Sequence, residues 1–258
     1  MSISPSKSII EQRFLDELRH HLNGWRVKIE NDFSEQNYYS ELKQLQSDPV
    51  YSKFGLAIPE YVLVRLMGRI SISIGRRLGE IYDKIPRILA GARFNLDRKD
   101  VVLKFGRLEL DIGIKRELLN KIDDEHLLQV VSARIKDFDD SVAGLGIEIR
   151  YNFNPNDSSR LRKDVTMAEK LQERNLFPIY LIFSEISPRQ EAIERLTRAG
   201  WSFLIGSEAE VFMLELIGMN FAEILDQPKI KAEIDMEIRS MMDTLLSSPA
   251  FQNGGRLT

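Results

Sequence analysis

The sequence has no cysteine and only three histidines among its 258 residues. Without cysteine, structural disulfides, thiolate metal sites and a cysteine nucleophile are excluded. His20, His21 and His126 are too few and too scattered to form a zinc site. Neither sign of charge dominates, because 36 Lys and Arg residues stand against 39 Asp and Glu residues. The chain as a whole is therefore not a basic nucleic-acid coat, and any DNA-binding face has to be local.

Long apolar runs are also missing. No stretch approaches the roughly 20 consecutive apolar residues of a membrane helix. The first residues, MSISPSKSIIEQRF, reach charged positions before any apolar run long enough for a secretory signal. We therefore expect a cytoplasmic protein with no membrane partner. The 43% hydrophobic and 29% charged residues are typical of a globular chain.

The order of patterns predicts an α/β fold class. Residues 1–58 have helical periodicity, and a long basic helix is predicted from Pro59 to Ala90, bent or divided by its glycines and Pro86. A break in the first helix is expected near Asn23-Gly24. Residues 59–220 are expected to hold the α/β core and 221–258 a C-terminal helical region, all within one compact domain.

Strand patterns begin after Asp100. Two strands, 101–105 and 107–114, are predicted around a tight turn at Gly106. A helical interval separates them from a third strand at 147–153. Two nearly continuous apolar runs, FPIYLIFS and WSFLIG, are typical of buried strands.

Charge is unevenly distributed along the chain. Residues 61–99 contain nine Lys or Arg against three Asp or Glu, whereas residues 200–258 contain four against nine. Segments with an excess of one sign of charge usually form solvent-exposed faces. A basic helix can also form a local surface for a polyanion.

Acidic residues on two predicted strands are the first candidates for chemistry. Alternation places Glu109 and Asp111 on one face of their strand, and Glu148 and Arg150 on one face of the third strand. If the strands are neighbours, Asp111 and Glu148 converge, and such oxygen ligands suit Mg²⁺. The alternative is an amphipathic hairpin whose polar face meets water.

A basic cluster opens the helix that follows the third strand. Arg160, Arg162 and Lys163 lie in its first turn, where the helix dipole favours anions over cations. An incoming phosphate would account for this arrangement, because helix N-terminal amides and arginines both bind phosphate. The alternative is that Asp157, Asp164 and Glu169 neutralise the cluster.

These features resemble the PD-(D/E)XK nuclease superfamily. The resemblance rests on Asp111 in one strand, Glu148-Ile149-Arg150 in the next, a polar loop, and a helix with Arg and Lys, and it covers roughly 79–206. Within that superfamily, EIRYNFNPNDSSRLRKDVTMAEKLQERNLFPIYLIFS is similar to the part of type II restriction endonucleases that follows the catalytic strand. The subfamily that it resembles is ApaLI-like. The resemblance implies a restriction-endonuclease-like central mixed β-sheet flanked by helices, with a helical N-terminal extension.

The resemblance also implies a role for each matching residue. Asp111 would be the motif aspartate and Glu148 the second carboxylate, and both would hold a catalytic Mg²⁺ together with the main-chain carbonyl of Ile149. Arg150 falls on the lysine position of the motif, and Glu80 matches the helical glutamate beside the metal. The residues expected to bind DNA phosphates are Arg160, Arg162 and Lys163, with Arg76 and Arg77 of the basic helix.

The sequence departs from the motif in three places. Leu110, not proline, precedes Asp111, and the 37-residue interval from Asp111 to Glu148 requires a helical insertion. Arg150 replaces lysine. Arginine keeps its proton at any working pH, so it can stabilise charge but cannot activate water as a base.

The function expected from these residues is Mg²⁺-dependent, sequence-specific cleavage of double-stranded DNA, as in a type II restriction enzyme. A homodimer is also expected, because a palindromic site is matched by two-fold symmetry. Two alternatives stay open. The chain could be a DNA-binding relative that has lost its chemistry, or an α/β protein-interaction module.

Overall fold

The computed structural model describes residues 7–136, 138–153, 158–186, 190–218 and 221–254. Helices flank a small mixed β-sheet in this part of the chain, which confirms the predicted α/β class. Among these residues, no helix is both long enough and apolar enough to cross a membrane.

The elements follow one another in a simple order along the chain. The helices are α1 (Lys7–Asp32), α2 (Glu35–Ser47), α3 (Pro49–Lys53), α4 (Pro59–Phe94), α5 (Arg98–Val101), α6 (Lys121–Arg134), α7 (Ser158–Gln172), α8 (Gln190–Arg198), α9 (Ser207–Ile217), α10 (Phe221–Leu225), α11 (Pro228–Leu246) and α12 (Pro249–Gly254). The strands are β1 (Lys104–Phe105), β2 (Leu108–Glu109), β3 (Ile112–Lys115), β4 (Gly144–Arg150), β5 (Leu176–Ile182) and β6 (Ser202–Ile205). A 3₁₀ turn, Arg116–Leu118, follows β3.

The chain groups into two compact units. The first, the sheet unit, comprises Met1–Glu17 and Gly79–Ile224, and contains all of these strands. The second, the helical unit, comprises Leu18–Leu78 and Leu225–Thr258. The predicted domain boundaries at residues 58 and 220 stay a prediction.

The main sheet has the strand order β3-β4-β5-β6, and β1 pairs with β2 in a separate hairpin. β3 is antiparallel to β4, whereas β4, β5 and β6 are parallel. The three parallel strands end at Arg150, Ile182 and Ile205, and we call this side of the sheet the carboxyl edge. The opposite side, where they begin, is the amino edge. Because β3 is antiparallel, it starts at the carboxyl edge.

The two inner strands, β4 and β5, are buried, as expected for parallel strands of a sheet whose faces are covered by helices. Every residue of β4 except Arg150 is buried, and five consecutive residues of β5, from Pro178 onward, are buried. A core cluster joins Tyr180 of β5 to residues of α7 and α8. The two glycines before Ile147, predicted to lie outside the third strand, are part of β4.

Gly146 allows α7 to lie close to β4. A Cβ atom at this position would collide with the side chain of Leu171 in α7. Because Gly146, Glu148 and Arg150 are two residues apart in the strand, they point to the same face. The face of β4 that α7 covers is therefore the face that carries Glu148 and Arg150.

The predicted strand 107–114 is interrupted. β2 ends at Glu109 and β3 begins at Ile112, with Leu110 and Asp111 between them. The amide of Leu110 donates to the carbonyl of Leu103 at 2.9 Å. The interruption places Asp111 one residue before β3, at the carboxyl edge. The predicted strand 101–105 is also shorter, because Val101 ends the helical turn α5.

The predicted break in α1 is wrong, and α4 is not divided, although a bend at its glycines or Pro86 stays a prediction. α1 continues through Gly24 to Asp32, since the buried Leu22, Trp25 and Ile29 extend its apolar stripe. A glycine costs only about 1 kcal/mol in a helix interior, which such burial offsets. α4 likewise runs from Pro59 to Phe94 as one helix with Pro86 inside it.

Candidate functional site

Asp111 and Glu148 meet at the carboxyl edge of the main sheet. The antiparallel register pairs Ile112 with Ile147, so one further step along both strands brings Asp111 opposite Glu148. Asp111 is 6% exposed and Glu148 is 5% exposed, although both carry an acidic side chain. In open α/β sheets, ligands bind outside the carboxyl ends of the strands. The two carboxylates are therefore in the part of the sheet where a ligand is expected.

Both oxygens of Asp111 accept hydrogen bonds. The guanidinium of Arg87 donates to Oδ1. The main-chain amide of Ile149 donates to Oδ2 at 2.9 Å, and Nη1 of Arg150 donates to the same oxygen at 3.1 Å. The carboxylate is thus fixed by α4 on one side and by β4 on the other.

Arg150 contacts all three of the groups that the sequence predicted as metal ligands. Besides Asp111, its Nη1 donates to the carbonyl oxygen of Ile149 at 2.5 Å, and its Nη2 donates to Oε1 of Glu148. The other oxygen of Glu148, Oε2, is buried and has no hydrogen-bond partner among the described residues. The predicted ligands therefore do converge, and the group at their centre is a guanidinium.

Arg87 is a member of the site that the sequence did not predict. It lies on α4, and its guanidinium donates to Glu109 Oε1 at 3.0 Å as well as to Asp111. One guanidinium joins the two acidic residues that alternation placed on one face. We call Arg87, Glu109, Asp111, Glu148 and Arg150 the edge network.

The charge of Glu148 depends on its surroundings. Burial, reinforced by the nearby Asp111, raises the pKa of Glu148 to about 8, and Arg150 opposes this shift only in part. The side chain therefore carries a proton over part of the neutral range. A carboxyl group whose pKa is strongly raised by burial and by a charged neighbour marks a candidate functional site.

A second layer of polar residues lies behind the edge network. Asp164 of α7 is buried, and it accepts a hydrogen bond from the hydroxyl of Tyr180 at 3.2 Å. Burial raises the pKa of Asp164 and, more strongly, that of Tyr180. The guanidinium of Arg150 lies 6.0 Å from the centre of the Tyr180 ring. These contacts connect the site to the core, and alternation along single strands could not have predicted them.

Glu80 lies on α4, about two turns before Arg87, and is half-buried. Asp111 and Glu148 receive their hydrogen bonds from Arg87, Ile149 and Arg150, not from this part of the helix. The predicted role of Glu80 stays a prediction.

The predicted basic cluster is exposed on the first turn of α7. Arg160, Arg162 and Lys163 all face solvent, and within the described ranges no ion pair holds them. Asp164, one of the residues proposed to neutralise them, is buried, accepts a hydrogen bond from Tyr180 and attracts Arg160 electrostatically without forming an ion pair with it. Asp157 lies outside the described residues. The three cations are therefore available to a ligand.

Arg76 and Arg77, also predicted to bind DNA, belong to the helical unit. Arg76 is exposed and Arg77 is half-buried, near Gly24 of α1. They stay candidates for DNA contact.

The chemical types of the residues in the site are suitable for binding Mg²⁺. The candidate ligands are oxygens from two carboxyl groups and one main-chain carbonyl, which hard cations prefer. Over the described part of the chain, no group of three or more His, Cys, Asp or Glu side chains could hold a metal. Since Mg²⁺ usually keeps several waters and binds through one or two carboxylates, two carboxylates suffice for a weak site.

Comparison of the chain with known protein families gave no match, and neither did comparison with curated proteins or with solved structures. The similarity to PD-(D/E)XK nucleases therefore rests on the residues and the strand pattern alone.

Proposed function

We propose that this protein is a Mg²⁺-dependent endonuclease that hydrolyses phosphodiester bonds in double-stranded DNA. The observation that carries the proposal is the convergence of Asp111, Glu148 and the Ile149 carbonyl on one point at the carboxyl edge. The exposed cations of α7 support it, because Asp164 in the same part of α7 contacts Tyr180, the β5 residue that pairs with Glu148.

Asp111, Glu148 and the carbonyl of Ile149 would hold the metal ion. A bound Mg²⁺ polarises the scissile phosphate and lowers the pKa of an attacking water. The other residues of the edge network have roles that do not depend on coordination. Arg87 orients Asp111 through a charge-assisted hydrogen bond. Arg150 supplies positive charge for the phosphorane-like transition state but cannot act as a base.

Arg160, Arg162 and Lys163 would position the DNA through its backbone phosphates. Such contacts fix the register of a protein on the duplex and carry no sequence information themselves. The α7 N-terminus adds main-chain N–H groups that favour an anion. The finer proposal is a sequence-specific type II restriction enzyme with a restriction-endonuclease-like fold, acting in the cytoplasm as a homodimer on a palindromic site.

One observation favours a second candidate function. The guanidinium of Arg150 is hydrogen-bonded to the same oxygens that a metal would need. A relative that kept the fold and lost the chemistry would retain such a closed network. This alternative predicts DNA binding that weakens with salt but no strand breaks with any divalent metal.

A cleavage assay separates the two candidates. A large unmethylated DNA is incubated with the protein in Mg²⁺, in Mn²⁺ and in EDTA. Discrete fragments that require the metal support the restriction enzyme, and a metal-dependent smear supports a non-specific nuclease. DNA that stays intact in both metals, while it still binds the protein, contradicts the proposed activity and favours the inactive relative.

A further inference from the structure

We propose that Arg150 is an internal cation that competes with the divalent metal for the same oxygens, so that metal affinity is set by the release of its guanidinium. The inference rests on the metal site of the proposed function and concerns how that site is regulated. It can be tested without any cleavage of DNA.

The geometry shows that the two cations need the same acceptors. The guanidinium takes Oδ2 of Asp111 at 3.1 Å, the carbonyl oxygen of Ile149 at 2.5 Å and Oε1 of Glu148. These three residues are also the oxygen ligands proposed for Mg²⁺. Arg87 occupies the remaining oxygen of Asp111. Both oxygens of Asp111 are thus engaged by an arginine while the two guanidinium groups keep their places.

Electrostatics makes the competition strong. The arginine guanidinium stays positive at any working pH, so it cannot escape a second cation by losing a proton. Its side chain is 14% exposed, and those of Asp111 and Glu148 are 9% and 7% exposed, so the charges are poorly screened by water. Two carboxylates can be compensated by the guanidinium or by the metal, but both cations at one point would repel each other.

Glu148 Oε2 is an oxygen that a metal ion can bind without displacing the guanidinium. This oxygen is buried and without a hydrogen-bond partner in the described part of the chain. An unpaired buried acceptor costs free energy, which a bound cation would recover. The Arg150 guanidinium alone therefore leaves one oxygen of Glu148 without a partner. The hydrogen bonds of Arg150 and a bound metal ion are two alternative ways of neutralising the site.

The experiment compares metal binding by the wild type, Arg150→Gln, Arg150→Lys and the control Arg116→Gln. Arg116 is a suitable control because it also bonds a carboxylate and main-chain carbonyls, at the amino edge. Binding of Mg²⁺ and Mn²⁺ is measured by titration calorimetry without DNA, and melting temperature is measured in EDTA and in each metal.

We expect Arg150→Gln to bind metal roughly 5- to 150-fold more tightly than the wild type, the usual range of coupling between two ligands. Its melting temperature should rise with metal more than that of the wild type. Arg150→Lys, which keeps the charge, should remain closer to the wild type, and Arg116→Gln should not differ from it.

Equal or weaker metal binding by Arg150→Gln would overturn the inference. If that variant does not fold in EDTA, recovery of its circular dichroism on adding Mn²⁺ supports the competition, and no recovery contradicts it. The proposed nuclease activity fails separately, when wild-type protein leaves DNA intact in both metals. Tighter metal binding by Arg150→Gln would stand even then.

Discussion

The two edges of the main sheet each carry an arginine that binds a carboxylate and main-chain carbonyls, yet the two arrangements differ. At the amino edge, Arg116 holds Asp124 at 2.6 and 3.0 Å and the carbonyl oxygens of Asp140 and Val142. At the carboxyl edge, Arg150 holds two carboxylates and the carbonyl of Ile149. The first arrangement pairs one cation with one anion.

Burial separates the two edges further. The side chains of Arg116 and Asp124 are 26% and 25% exposed, whereas Asp111, Glu148 and Arg150 are nearly buried. As a result, the pKa of Asp124 is lowered by the hydrogen bond from Arg116, while burial raises the pKa of Glu148. An arginine–carboxylate contact is therefore not in itself a sign of function. What distinguishes the carboxyl edge is that two nearly buried acids share one nearly buried guanidinium.

The largest expected difference between the edges is in stability. Arg150→Ala leaves two buried carboxylates without their shared partner, and removing one member of a buried ion pair costs about 3–5 kcal/mol. Arg116→Ala should cost less, about 1–2 kcal/mol, because water can reach Asp124. Urea unfolding in EDTA measures both. If Arg116→Ala loses more unfolding free energy than Arg150→Ala, the carboxyl edge does not contribute more to stability than the amino edge.

The second difference is the response of stability to pH. The folded protein holds a proton on Glu148 that the unfolded chain releases near 4.5, so this contribution to stability is lost as pH rises from 4.5 to about 8. Asp124 acts in the opposite direction, because its lowered pKa stabilises the folded state only above its unfolded pKa.

Glu148→Gln should therefore flatten the fall in unfolding free energy between weakly acidic and alkaline pH in EDTA. Asp124→Asn should leave that fall unchanged and reduce stability at neutral pH relative to acidic pH. Unfolding curves over this range test both variants. If the curve of Glu148→Gln runs parallel to that of the wild type, Glu148 does not titrate as described.

Within the sheet unit, DNA affinity should depend more on the basic residues at the carboxyl edge than on those at the amino edge. The plot of the logarithm of DNA affinity against the logarithm of salt concentration has a slope that counts phosphate contacts. The double variant Arg160→Ala/Arg162→Ala should reduce the magnitude of this slope by about 1.8, since each contact contributes about 0.9. The control, Arg195→Ala/Arg198→Ala, removes two exposed arginines from the end of α8, which leads to the amino edge at Ser202. Equal effects of the two pairs on fluorescence anisotropy titrations would show that DNA binding does not favour the carboxyl edge.

The smallest expected effect concerns Arg87. Arg87→Lys keeps the charge but loses the planar fork that joins Glu109 to Asp111. Cleavage should fall by about tenfold, the lower end of the range for a partner that orients a ligand. Glu109→Gln, at a side chain that is 44% exposed, should have little effect on cleavage. A larger loss in Glu109→Gln would transfer the orienting role to Glu109.

The sequence predicted the α/β class, because strand alternation and burial are local properties. It predicted the convergence of Asp111 and Glu148 only on condition that their strands are neighbours, since strand pairing is a tertiary property. It did not predict Arg87, since its contact with Asp111 spans 24 residues and depends on where α4 packs. The sequence did not predict the break between β2 and β3 either, because the alternation of apolar and polar residues continues through Leu110 and Asp111. The inward position of the Arg150 guanidinium is a tertiary property that the motif pattern alone could not supply.

The measurement that tests the central claim most directly is DNA cleavage by the wild type, Glu148→Gln and Asp124→Asn, each in Mg²⁺ and in EDTA. The two variants each replace an arginine-bound carboxyl group with a neutral amide, one at each edge of the sheet. We predict Mg²⁺-dependent cleavage by the wild type and Asp124→Asn, and a loss of at least about 100-fold in Glu148→Gln. Cleavage by Glu148→Gln at the wild-type rate would show that the carboxyl edge is not the active site.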